Sequence, residues 1–191
     1  MNPEYEELCQ LILHADVRSL CDNAPVLAEK IPELAPMVGF NQRSPHHAYD
    51  LFTHTAHVTA AVPEELTLRW AALLHDTGKI TTFTTDETGR GHFYGHAGDS
   101  AAIAGRILRR LGAPTRLRED AVHLIELHMT RLEPDKKALR RWIARLGRAQ
   151  LDRLLILQEA DMSSKGVEKE RDPAQFARLR RLLAEIQEET P

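Results

Sequence analysis

Apolar residues recur along this chain mostly at helical spacing. Leu8, Leu11 and Ile12 lie on one stripe of residues 4–14 and predict a short amphipathic helix. A second short helix is predicted near Ala24–Lys30. Pro25, Pro32 and Pro36 punctuate this region, and Met37–Pro45 reads as an irregular loop. Asp50 is placed to cap a helix running to about Ala61, which Pro63 ends. Thr67–His75 forms the next helix, and the short link makes the two antiparallel neighbours. Its run Trp70-Ala71-Ala72-Leu73-Leu74 has no polar face and predicts a buried element, with Gly78 as a C-terminal stop signal. Thr81–Tyr94, rich in Thr and aromatics with Gly at the turn, reads as a short hairpin or extended excursion. Helical spacing then returns over 97–111, 115–129, 135–146, 148–162 and 173–189, broken at Gly112, Pro114, Pro134 and Gly147. The expected fold is all-α, with at most one hairpin near 81–94. Residues 1–45 are expected to be a helical lead-in packed on the same domain as 46–191.

Composition narrows the class. A chain of 191 residues with 42% hydrophobic and 28% charged positions is an ordinary globular protein able to bury one core. A net charge of -3 gives no support to sequence-independent binding of nucleic acid, which calls for a clearly basic chain. RNA therefore stays a possible partner that charge does not indicate. Cys9 and Cys21 form no metal or redox spacing and fit a reducing compartment. The acidic start Met1-Asn2-Pro3-Glu4 is unlike a signal peptide, and no stretch nears the roughly 18–20 apolar residues of a membrane span. A cytoplasmic protein without membrane contact is the expectation.

Histidine changes the picture. There are ten, and seven lie between His46 and His96. His75 and Asp76 follow directly on the buried apolar run, so a rigid element delivers an imidazole and a carboxylate side by side. His54 and His57 share one helical face of the preceding helix, and His54 can approach His75 and Asp76 across the pair. Asp161 follows Leu154-Leu155-Ile156-Leu157, a run that should be buried, so its carboxylate needs a partner. A metal is one such partner and an arginine ion pair is another. His96 and His128 lie at helix ends where several helices can converge. The arginines Arg140, Arg141, Arg145, Arg148 and Arg153 alternate with acidic and apolar positions, the pattern of a solvated face.

The order His54, then His75-Asp76, then a distant Asp161 resembles the HD-domain metal-dependent phosphohydrolases. The chain is most similar to the HD domain attached to bacterial transfer-RNA nucleotidyltransferases of the CCA-adding and poly(A)-polymerase type. The matching stretches are Gly39-Phe40-Asn41-Gln42, His46-His47-Ala48-Tyr49-Asp50, His75-Asp76-Thr77-Gly78-Lys79 and Gly91-His92-Phe93-Tyr94-Gly95-His96. No Gly-Ser plus paired-aspartate segment precedes them, so a free-standing HD protein without nucleotide addition is expected.

The resemblance implies His54, His75, Asp76 and Asp161 as direct metal ligands. It also implies a second metal, with Asp76 bridging and His96 and His128 on its far side. One or two divalent ions are expected, and this histidine-rich set favours Mn, Fe, Co, Ni or Zn over Mg. Lys79, close after the ligands, would neutralise phosphate charge. His92 and His47 match the family motif as candidates to line the pocket. Arg131 could add a cation there or serve as a solvated helix cap. The expected activity is hydrolysis of a phosphomonoester or phosphodiester, of a nucleotide by preference, through metal-activated water with Asp76 and Lys79 as catalytic groups. The alternative is a metal-containing RNA-associated or regulatory module without turnover of small molecules, and a helical scaffold with a vestigial site is a third.

Overall fold

The computed structural model describes residues 2–45, 48–166 and 173–189. It is helical throughout except for one strand pair. Helices α1 (Pro3–Leu13), α2 (Val17–Asp22) and α3 (Ala24–Lys30) lead through a 3-10 helix (Pro32–Met37) and a loop to α4 (Leu51–Ala61). Then come α5 (Leu66–Leu74), the single turn α6 (Lys79–Thr82), strands β1 (Thr84–Thr85) and β2 (Gly91–His92), and α7 (His96–Arg110). Helices α8 (Thr115–Leu127), α9 (Lys136–Leu146), α10 (Arg148–Ser163) and α11 (Pro173–Glu188) complete the chain. The strands are antiparallel, with Thr84 opposite His92, so the predicted hairpin is present and short. Among the described residues no helix is long and apolar enough to cross a membrane.

Helix α5 is the hub. Every side chain from Thr67 to Leu74 is buried, as an element apolar all round requires, and α1, α4, α7, α8 and α10 pack around it. Arg69 breaks the apolar run and was not singled out by its pattern. Its guanidinium donates to the carbonyls of Ala15 (2.9 Å), Ile12 (3.4 Å) and Pro63 (3.3 Å). It thereby binds the Ile12 oxygen in the last turn of α1 and the Ala15 and Pro63 oxygens in the links after α1 and α4. Trp70 stacks on Tyr5 at 5.9 Å and donates to the Cys9 sulfur, tying α1 to the same helix.

Three short elements escaped the hydrophobic pattern: α2, α6 and the proline-punctuated 3-10 helix. Helix α2 is six residues long, too short for a periodicity, and is started by Asp16, whose carboxylate accepts from Ser19 N–H. Helix α6 begins where a stop was expected. Gly78 has φ -71°, an ordinary right-handed value, so it is not a left-handed helix terminator. Its need is for space: a Cβ there would lie 2.5 Å from the His96 carbonyl oxygen and 2.5 Å from Ser100 N. The turn after α5 is thus pressed against the first turn of α7.

Candidate metal centre

Five helices and one turn aim side chains at a common point. Asp50 starts α4 by accepting from Phe52 N–H and Thr53 N–H, and one turn on His54 is fully buried. His75 is the C-cap of α5, Asp76 opens the turn after it, and both are buried. His96 is the first residue of α7, His128 caps the end of α8, and Asp161 lies in the last turn of α10. His57, one turn after His54, is turned away and stacks on Tyr49 at 4.4 Å.

The nitrogens are oriented by the backbone. Nδ1–H donates to Ala72 O in His75 (2.7 Å), to Phe93 O in His96 (2.8 Å) and to Ile125 O in His128 (2.6 Å). In His54 it faces Ser164 O at 3.3 Å. A carbonyl can only accept, so the proton sits on Nδ1 and the Nε2 lone pair is directed inward. His54 Nε2 is 3.1 Å from Asp161 Oδ1 and 3.5 Å from Asp76 Oδ2, and His75 Nε2 is 3.2 Å from Asp76 Oδ2. On the other side of the same carboxylate, Asp76 Oδ1 is 3.4 Å from His96 Nε2 and 3.9 Å from His128 Nε2. The donor atoms therefore fall into two groups, His54–His75–Asp76 and Asp76–His96–His128, which share Asp76. Asp161 adjoins the first.

This donor set fits a divalent transition metal. The Nε2 atoms of His96 and His128 face each other at 3.3 Å. With both protons on Nδ1, two lone pairs confront each other, which is repulsive unless a cation lies between them. Two nitrogens holding one ion at about 2.0–2.1 Å each have a separation of this order. His75 Nε2 and Asp76 Oδ1 are buried and have no hydrogen-bond partner, a costly state that an ion relieves. Nitrogen-rich ligation suits Mn, Fe, Co, Ni or Zn and is a poor match for Mg.

Electrostatics separate the two sides. Burial opposes the imidazolium of His75, but Asp76 and Asp161 outweigh it and raise its pKa. Burial also opposes the ionised forms of Asp76 and Asp161. For Asp76 it is overcome by His75 and Lys79, and for Asp161 by His54 and His75, so both carboxyls are held below the usual range. Burial dominates for His96 and His128 and keeps them neutral, His128 falling to about 4. Charge on the Asp76 carboxylate is thus secured while the two outer imidazoles stay available as neutral donors.

Lys79 is nearly buried, with Nζ 2.8 Å from Asp76 Oδ2 and 2.9 Å from Gln42 Oε1. Asp76, Lys79 and His96 form part of a cleft of about 270 Å³, with Arg90, His92 and Lys165 on its walls. The exposed side chains of Tyr94 and Met129 also line it. Arg131 lines an adjoining cleft instead, beside His128 and Asp161, and pairs with Glu133 at 3.2 Å. His47 lies outside the described residues. Gln42, Asp86, Arg90 and Lys165 were not singled out from sequence. Gln42 sits in a matched motif and could have been found there. The others come from loops that only the fold brings to the cleft.

A family model described as HD domain matches residues 47–165. The chain is 36% identical over 174 residues to a CC-adding tRNA nucleotidyltransferase of Thermus thermophilus, covering 86% of this chain and 40% of that protein. It is 35% identical over 168 residues to an A-adding tRNA nucleotidyltransferase of Deinococcus radiodurans, covering 83% and 38%. A multifunctional CCA protein of Azoarcus is 38% identical over 106 residues, covering 53% and 25%. The chain spans about two fifths of the length of the first two relatives.

Proposed function

The chain belongs to the HD domain family, a metal-binding helical fold, and from that premise we propose that it is a metal-dependent phosphohydrolase acting on a small phosphate ester, by preference of a nucleotide. The observation that carries this reading is the shared carboxylate: Asp76 stands between two groups of inward-facing imidazoles, each of three donors. His54, His75, Asp76 and Asp161 would hold one ion, and Asp76, His96 and His128 a second. When bound, such ions supply Lewis acidity and lower the pKa of water toward neutrality.

The chain's own groups do the rest. Gln42 holds the Lys79 ammonium against Asp76, and His75 and Lys79 keep that carboxylate ionised. The cations Lys79, Arg90 and Lys165 line the cleft and favour a phosphate dianion over a neutral ligand. A cleft of about 270 Å³ lies at the low end of ligand pockets, which run to roughly 300–1,000 Å³, and suits a small ester. His92 is part of the wall of this cleft, and Arg131 would act only on an ester arm that reaches the adjoining cleft.

A second reading is an RNA-associated module. The relatives are named for tRNA, and Arg141, Trp142 and Arg145 line an open groove on α9. Binding that weakens steeply with salt, without ester turnover, favours it.

The test is elemental analysis of protein purified without chelator or histidine tag, beside Asp76→Ala, followed by assays on phosphate mono- and diesters. One or two transition-metal equivalents in the parent, lost in the variant and needed for turnover, are expected. A parent that takes up no Mn, Fe, Co, Ni or Zn near neutral pH overturns the reading.

A further inference from the structure

The hairpin is the one strand pair among the described residues, and it stands in the chain between two of the candidate ligands, Asp76 and His96. Its turn is built around one carboxylate. Asp86 Oδ1 accepts from Thr88 N–H (2.9 Å), Thr88 Oγ1–H (2.6 Å) and Arg90 N–H (3.1 Å). Its other oxygen, Oδ2, is 2.9 Å from His92 Nε2. These donors, Thr88 first and then His92, hold the Asp86 carboxyl well below the usual carboxylate range. An ionised carboxylate can only accept, so His92 Nε2–H donates to it and the ring is locked with Nδ1 on the opposite edge. That edge meets the Tyr94 hydroxyl at 3.3 Å, and the Tyr94 ring lies parallel to the imidazole at 5.4 Å. Both rings line the cleft that contains Asp76, Lys79 and His96.

We infer that Asp86 and His92 form a proton-donating pair for the leaving oxygen of the ester, an inference that rests on the phosphohydrolase reading. A carboxylate fixing one ring nitrogen while the other faces the reacting group is the arrangement that makes histidine an effective acid or base. The Tyr94 hydroxyl oxygen marks the place on Nδ1 that a leaving oxygen takes, and at 78% exposure its side chain has little packing to hold it there. In the step, the bond from phosphorus to the ester oxygen breaks and its electron pair stays on that oxygen. The oxygen receives the Nδ1 proton and departs as an alcohol. Water supplies the new oxygen on phosphorus and releases a proton to solvent, from which His92 is recharged. Asp86 is a positioning residue, fixing the orientation of the ring through its bond to Nε2. Besides Asp86, the charged and titratable groups that share the cleft with the ring are Asp76, Lys79, Arg90, Tyr94, His96, Asp161 and Lys165.

The test compares two leaving groups in the metal-loaded protein. p-Nitrophenyl phosphate expels an anion that needs no proton, whereas β-glycerophosphate expels an alkoxide that does. His92→Gln is expected to lower kcat on the alkyl ester about 100-fold or more and to change kcat on the nitrophenyl ester less than about threefold. Asp86→Ala should fall between parent and His92→Gln on the alkyl ester. Independently of turnover, ring-nitrogen NMR shifts should report the Nε2–H tautomer of His92 in the parent and a tautomer mixture in Asp86→Ala. Metal content of both variants should match the parent, and His92→Gln should also melt with it. Equal losses on both esters, no loss on either, or a tautomer indifferent to Asp86→Ala overturns the pairing. A parent inert to both esters while binding metal removes the phosphohydrolase reading, and the pairing with it.

Discussion

At the scale of single residues, the centre depends on groups that bind nothing. The carbonyls of Ala72, Phe93 and Ile125 fix three imidazole tautomers, and Gln42 holds Lys79 against Asp76. Gly78 belongs to the same class. Its N–H donates to Ser100 Oγ at 2.8 Å, and its missing Cβ lets the turn carrying Asp76 touch the turn carrying His96. Gly78→Ala inserts a methyl group against backbone atoms, not against a side chain that can move. It should cost about 1–3 kcal/mol in a denaturant melt. It should also weaken metal uptake roughly 10-fold or more, although no ligand is altered. A variant that melts and binds metal like the parent would show that the two turns are not set by this contact. In the sequence His54, His75, Asp76 and Asp161 stand out because each sits at or within an apolar helical run, His96 and His128 because they lie at helix ends, and the family resemblance joins them into one ligand set. Spacing could not choose between His54 and His57, since both share a face. Packing makes the choice, burying one and stacking the other on Tyr49.

At the scale of elements, what was legible followed helix length. Helices α4, α5, α7, α8, α9, α10 and α11 match their predicted spans within a residue or two, because each is long enough to show a stripe and carries a capping residue or a break. Helices α2 and α6 have six and four residues and no stripe. The link between element and site is clearest in α4. Asp50 closes the first turn of that helix, and its Oδ1 also accepts from Gly39 N–H, joining the preceding loop to the helix that carries His54. Asp50→Ala should therefore destabilise the protein by about 1–2 kcal/mol, the cost of losing a helix N-cap. Bound metal should recover part of that loss by mass action. A variant whose urea midpoint equals the parent's in chelator would show that the cap contributes nothing measurable.

At the scale of the whole molecule, residues 2–45 and the residues around the centre meet on α5 and α7. Arg69 of α5 holds the carbonyls of Ile12 and Ala15 at the end of α1, and Trp70 packs on Tyr5. On the far side, Arg110 in the last turn of α7 forms a two-pronged bridge to Glu33 of the 3-10 helix, at 2.7 and 2.8 Å. These contacts support reading the lead-in and the remainder as one folding unit, and the Glu33 bridge offers a pH test of it. The Arg110 hydrogen bonds, outweighing partial burial, hold the Glu33 carboxyl below its usual 4.5. A carboxyl with a depressed folded pKa stabilises the protein above its unfolded pKa. That contribution disappears as pH falls through the folded value, since the unfolded chain then binds the extra proton more readily. Glu33→Gln should thus lower stability at pH 7 by at most about 1 kcal/mol, because both side chains are partly exposed and solvent screens the pair. The deficit should shrink in high salt and vanish once pH lies well below the carboxylate range. If the lead-in folds with the rest, the change moves a single transition, seen alike by far-UV dichroism and by the fluorescence of Trp70. If the two probes separate, with Trp70 losing its Tyr5 and Cys9 contacts before most of the helical signal melts, the lead-in is a separate cooperative unit. The metal centre would then stand without it, on α4, α5, α7, α8 and α10 alone.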